Sequence, residues 1–187
     1  MRYFLGCMLV LLMTNANAQS SLISCDGIIW DSNRKLSWSD FMASANQSIP
    51  YAAMTFESIN YSYNWVDNRL HFESKTAFSP CLSWTKYQEA ENLLLHEQGH
   101  FNVAEIFRRL LVKSVLENEI NSSGVKSKLS TIYQDIVQQK EAFQKQYDLE
   151  TDYSRDVEKQ LQWSKNIEKM LRQLDQYNKE SIEVDMK

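Results

Sequence analysis

Ile59-Asn60-Tyr61-Ser62-Tyr63-Asn64-Trp65, followed by Asp67-Asn68 and then Leu70-His71-Phe72, is the stretch on which the fold reading turns. Apolar and aromatic residues alternate with polar ones, the period of a half-buried strand. Asp-Asn is turn chemistry, so the stretch predicts an antiparallel hairpin. Upstream the chain stays strand-like, with the short apolar run Gly27-Ile28-Ile29-Trp30 and then Lys35-Leu36-Ser37-Trp38-Ser39-Asp40-Phe41. Downstream, near residue 83, the period changes. Thr85 with Gln88 three residues on can form a capping box, and a helical pattern then runs to about Glu119 before Asn121-Ser122-Ser123-Gly124 breaks it. Val125, Leu129, Ile132, Ile136, Phe143 and Tyr147 mark a second amphipathic helix. A polar patch, residues 148–154, separates it from a third, carrying Val157, Leu161, Trp163, Ile167, Met170, Leu174 and Tyr177. The expectation is an α+β fold: a small N-terminal antiparallel sheet over residues 19–82, then three long helices over 83–180.

The first 18 residues read as an export signal. Arg2 precedes an apolar run from Tyr3 to about Met13, and Asn15-Ala16-Asn17-Ala18 offers a cleavage site before Gln19. Its removal leaves 169 of the 187 residues as a single domain, exported to the periplasm or beyond, with no later stretch long enough to span a bilayer. The segment holds one basic and no acidic residue, so the net charge of −4 becomes −5 without it. That balance argues against nucleic acid and against anionic membrane surfaces as partners. Four glycines and two prolines exclude collagen-like and low-complexity classes. Cys25 and Cys81 survive cleavage as an even pair, a plausible disulfide in an oxidising compartment, which in the chain-entropy model stabilises by about 4 kcal/mol.

The chemistry lies in His96-Glu97-Gln98-Gly99-His100, an H-E-x-x-H motif inside the first long helix. Four residues advance a helix by about 400°, so the two histidines share a face and can share a metal. Glu97 lies about 100° round, where its carboxylate can reach a water on that metal without being a ligand. Chance puts this five-residue pattern in about one such chain in 300, so its setting has to carry the argument. Leu93, Val103, Phe107 and Leu110 continue the histidine stripe, which turns both rings toward the core. Burying them costs on the order of several kcal/mol unless something satisfies them, and a metal would. Gly99 weakens a helix interior by about 1 kcal/mol, which suggests a close approach by another part of the chain.

A catalytic zinc ordinarily has three protein ligands and an open position. Glu105 lies about 140° from His100 and reads as a helix-surface residue or one bonded behind the ligands. His71 has the opposite strand parity from Leu70 and Phe72 and reads as exposed. Glu150, Asp152 and Tyr153, between the second and third helices, are the remaining candidates for the third ligand.

The chain resembles the bacterial domain of unknown function 922 group, described as predicted secreted zinc-dependent proteases of zincin type. Leu36–Phe41, Ser83-Trp84, Leu94-Leu95-His96-Glu97-Gln98-Gly99-His100-Phe101-Asn102-Val103-Ala104-Glu105, Tyr147–Ser154 and Gln160-Leu161-Gln162-Trp163 carry the resemblance over nearly all of the mature chain. It implies a zincin-like domain with zinc as cofactor. Where the family's late segment carries a histidine suited to be the third ligand, this chain has Tyr153. Either Tyr153 coordinates as phenolate or through a shared water, or Glu150 or Asp152 substitutes, or the site has lost full zinc affinity.

Three functional readings follow. In the first, a secreted zinc metallopeptidase acts on a peptide or protein substrate. Glu97 is the general base, Tyr147 or Tyr153 assists the oxyanion, and the Ile59–Trp65 hairpin offers a sheet edge to the substrate. The second is a non-catalytic cell-envelope interaction module with a structural or degenerate metal site. The third is a zinc amidase acting on cell-wall peptides.

Overall fold

Asp67 and Asn68 both take left-handed backbone, φ 50° and 61°, the geometry of a two-residue turn whose twist matches the strands it joins. They connect β3 (Glu57–Val66) to β4 (Arg69–Phe78) in the register Tyr63↔Phe72 and Trp65↔Leu70, so the predicted hairpin forms and extends further than its sequence signal. The computed structural model describes residues 25–88 and 90–186; the expected export signal, residues 1–18, lies outside the described residues.

β4 is the axis of the main sheet. β3 pairs along one edge, while β1 (Ile28–Ile29) and β6 (Ser181–Asp185) share the other, opposite Ala77–Phe78 and Arg69–Glu73 respectively. A second, two-stranded sheet joins β2 (Ala53–Met54) to β5 (Trp84–Thr85). Three helices follow: α1 (Glu91–Glu117), α2 (Val125–Glu150) and α3 (Val157–Gln173). The fold is α+β, with antiparallel strands first and helices after them.

Period two explains the sheet's inner face. Leu70, Phe72, Ser74, Thr76 and Phe78 are buried, and Glu57, Ile59, Tyr61 and Tyr63 lie opposite them on the same face. α1 packs against β3, β4 and β6 as well as against α2 and α3. Ile106, Phe107, Leu111, Val112 and Val115 join Leu70, Phe72, Leu129, Ile132, Trp163 and Ile167 in the main core. A smaller core of Leu36, Phe41, Phe78 and Phe101 seats the N-terminal segment, which a Cys25–Cys81 disulfide ties down, Cα atoms 5.9 Å apart. Among the described residues no helix is long and apolar enough to cross a membrane.

Three expectations change, and one strand forms where the sequence carries no expectation. Helix α1 starts at Glu91, not after Thr85. Thr85 Oγ1 donates to the Tyr87 carbonyl and accepts from the Tyr87 amide, a local turn that uses up the hydroxyl the cap needed. Leu36–Phe41 contains a short 3₁₀ turn, Trp38–Asp40, held by Ser37 and Asp40 in a capping box. Helix α2 runs into the polar patch as far as Glu150, which puts Asp148 in its last turn. The C-terminal Ile182 and Val184 alternate with Ser181, Glu183 and Asp185 and return to the sheet as β6.

Candidate metal centre

His96 and His100 project one turn apart from α1, as the spacing requires, and meet the last turn of α2. His96 Nε2 lies 3.2 Å from His100 Nε2, and Asp148 Oδ1 lies 3.2 Å from the first and 3.0 Å from the second. The three atoms form a nearly equilateral triangle. Zinc bound tetrahedrally at about 2.0–2.1 Å separates its ligand atoms by about 3.3 Å, so the donor set fits such an ion without rearrangement. His96, His100 and Asp148 are a group that could hold a metal ion.

Both rings are held from behind. His96 Nδ1 is 3.0 Å from Gln160 Oε1 at the start of α3, and His100 Nδ1 is 2.7 Å from Gln144 Oε1 on α2. Tyr147 stacks on His96, ring centroids 4.6 Å apart, and its hydroxyl donates to the His96 carbonyl. The same ring explains Gly99: a Cβ there would sit 2.7 Å from Tyr147 Cζ. Helix α1 gives up propensity at Gly99 so that Tyr147 can reach its backbone.

Glu97 is 3% exposed, and its Oε2 is buried with no hydrogen-bond partner among the described residues. An orphaned carboxylate oxygen beside two imidazoles is costly unless a water or ion completes it. The centre is not sealed: the side chains of His100 and Asp148 are 13% and 29% exposed. Electrostatics favour opposite charges here. Burial opposes the charged form of His100, but its hydrogen bond to Asp148, the Glu97 and Asp148 charges and the Gln144 bond raise its pKa above the ordinary imidazole value. Burial likewise opposes Asp148 ionisation, yet hydrogen bonds from His100 and His96 and their charge hold its carboxyl well below the usual range. Burial, with the nearby Glu97 and Asp148 charges, pushes the Tyr147 phenol well above its usual value despite a bond from Gln160.

The other candidates stand elsewhere. Tyr153 is 41% exposed, its ring 6.1 Å from that of Tyr51, in a turn where Asp152, Tyr153 and Ser154 all have positive φ. Glu150, exposed, accepts from Trp163 Nε1 and Gln146 Nε2, while Asp152 pairs with Arg155. None of the three is among the converging donors; Asp148 is. The reason is the extra turn of α2. Asp148 remains on the helix face that meets α1, while residues 150–153 are carried past it. His71 lies on the outer face of β4, 3.3 Å from Glu183.

Glu105 is not a helix-surface residue. It is 2% exposed, and its two oxygens accept from Arg108 Nε and Nη2, Arg109 Nε and Thr76 Oγ1 at 2.7–2.9 Å.

Asp148 is hidden in sequence because the polar patch reads as a separator, and Gln144 and Gln160 because a single glutamine on a helix carries no signal of its own. One signal was present: Gln144 and Asp148 are four residues apart beside the apolar stripe that ends at Tyr147, the spacing of a shared helix face. No family model, no curated protein and no solved structure matches the chain.

Proposed function

We propose that the chain is an exported zinc-dependent hydrolase that cleaves peptide bonds with Glu97 as general base. The observation that carries this reading is the buried, unpartnered Glu97 Oε2 one residue from a triangle of three metal-competent donors, two of whose side chains are partly exposed. His96, His100 and Asp148 would hold the zinc; three protein ligands and an accessible fourth side are the pattern of a catalytic rather than a structural site. Zinc held there supplies Lewis acidity, polarising a substrate carbonyl and acidifying water. Glu97 takes the proton from the attacking water and returns it to the leaving amine. The resemblance to secreted zinc-dependent proteases supports the same class.

The Tyr147 hydroxyl donates to the His96 carbonyl and accepts from Gln160, so it has no proton to offer an oxyanion. The sheet edge nearest the chemistry is also not the hairpin, whose Ile59 carbonyl is covered by the Tyr133 hydroxyl. It is the segment before it. Thr55 Oγ1 donates to the Glu97 carbonyl, 3.4 Å away. The Lys86 amide bonds the Ala52 carbonyl, so alternation turns the Ala53 and Thr55 backbone groups away from β5. An extended peptide can pair there, between the exposed Tyr51 and Phe56.

The test is hydrolysis of denatured protein or a mixed peptide library. Cleavage that chelator abolishes and zinc restores, lost in Glu97→Gln while metal stays bound, supports the reading. Undiminished cleavage by Glu97→Gln removes Glu97 from the mechanism.

A further inference from the structure

Which nitrogen of each histidine carries its proton follows from the hydrogen bonds behind the site. Gln144 Nε2 donates to Glu57 Oε1 at 2.8 Å, and Lys140 donates to the same oxygen at 2.6 Å. A carboxylate only accepts, so the Gln144 amide cannot be turned round. Its carbonyl oxygen therefore faces His100 Nδ1 at 2.7 Å, a contact that is attractive only if Nδ1 bears the hydrogen. The His96 side runs through a closed loop. The backbone carbonyl of His96 accepts from the Tyr147 hydroxyl at 3.1 Å, so that hydroxyl must accept from Gln160 Nε2 at 2.7 Å. Gln160 then presents Oε1 to His96 Nδ1 at 3.0 Å. Thr151 Oγ1, which donates to the Tyr147 carbonyl, turns a second lone pair toward the same nitrogen, 3.4 Å away.

We infer that Gln144 and Gln160 are positioning residues that lock both histidines as the Nδ1–H tautomer, with Glu57 and Tyr147 setting the direction of each amide. The consequence lies on the other side of the rings. With Nδ1 protonated, both neutral imidazoles aim Nε2 lone pairs at Asp148 Oδ1, leaving three acceptors within 3.2 Å of one another and no hydrogen between them. Only a cation or an added proton relieves that arrangement. The opposite tautomer would put an N–H where the ion has to sit. Glu57, on the strand β3 and bonded to neither histidine among the described residues, thus helps determine whether the site on α1 and α2 accepts metal. This rests on the metal reading proposed above, and its test separates the two.

The full chain, ¹⁵N-labelled and freed of metal by chelator, is studied at a pH above the titration of both rings, where long-range ¹H–¹⁵N correlation identifies the protonated nitrogen. Wild type is expected to show Nδ1–H at His96 and His100. Gln144→Met should release His100 to the Nε2–H form and weaken zinc binding, measured by competition with a chromophoric chelator, about ten- to a hundredfold. Gln160→Met should do the same through His96. Gln144→Glu combined with Glu57→Gln keeps an acceptor at Nδ1 and a donor–acceptor pair behind it, and should restore both tautomer and affinity, which guards against a mere packing effect. Gln146→Met, an exposed change on the same helix, should alter neither. Nε2–H at either histidine in wild type overturns the inference, and so does an unchanged tautomer with unchanged zinc affinity in Gln144→Met. Nδ1–H tautomers in a wild-type protein that takes up no zinc uphold the tautomer lock and sink the metal reading.

Discussion

Helix α1 carries two buried polar clusters little more than one turn apart, and they are built on opposite principles. Around Glu105 every charge is answered. Arg108 grips both carboxylate oxygens and reaches Ser74 and the carbonyls of Asn178 and Lys179, while Arg109 adds the Leu171 carbonyl and Asp175. These bonds tie α1 to β4, to the end of α3 and to the lead into β6. Around His96 and His100 the outer nitrogens of both rings are bonded, but Glu57 Oε2 behind them is left without a partner and the front is open: three acceptors converge, and Glu97 Oε2 has no partner among the described residues. The contrast teaches how to tell structure from site within one helix. A buried cluster that satisfies itself holds the fold, whereas one satisfied on all sides but one awaits a ligand.

The sharpest way to break that contrast is Glu105→Ala. It strands Arg108 and Arg109, 2% and 3% exposed, and should lower unfolding free energy by about 3–5 kcal/mol. Urea melts showing a loss under about 1 kcal/mol would mean the Glu105 cluster is not structural.

Adding zinc probes the other cluster. At a hundredfold excess over Kd it should stabilise by about 2.7 kcal/mol. In metal-free protein the depressed Asp148 pKa contributes stability above the unfolded carboxylate value, about 4, that is lost as pH falls. The raised His100 pKa contributes stability that is full below about 6.5 and is lost as pH rises through the folded value. The pair's own contribution is therefore greatest between about pH 4 and 6.5. Zinc displaces the proton that His100 holds there, so the rise in Tm on adding zinc should be larger at about pH 8 than at about pH 5. A larger rise at the lower pH would contradict a histidine site.

A smaller effect is expected from Gly99→Ala. Alanine should add about 1 kcal/mol of helix propensity, but displacing Tyr147 costs about 1–3 kcal/mol, so calorimetry should record a modest net loss. Because Tyr147 orients Gln160, zinc affinity should fall with it. A stabilised variant with intact affinity would show that Tyr147 is not pressed against α1.

What sequence revealed and what it hid follow the same division between local and distant causes. The hairpin was legible because alternation from Ile59 to Trp65 and the Asp67-Asn68 turn are local. So were the helix bearing the motif, and Gly99 as a point of close approach. The start of α1 was misplaced because the Thr85 hydroxyl has a nearer partner in Tyr87. Glu105 reads as a surface residue or as one bonded behind the ligands because its helix angle says nothing of Arg108, Arg109 and Thr76 closing over it. Asp148 is not legible as a candidate ligand because its value depends on α2 continuing into a polar stretch whose side chains are answered from α1 and α3. β6 is not legible although Ile182 and Val184 alternate plainly, since its pairing with β4 spans more than a hundred residues.

The most direct test of the central claim is the zinc content of the purified protein after reloading, beside Asp148→Ala and Tyr153→Phe. The account predicts about one zinc per chain, retained in Tyr153→Phe and lost in Asp148→Ala. Zinc retained without Asp148 and lost without the Tyr153 hydroxyl, or a folded wild-type protein that takes up none, would contradict it.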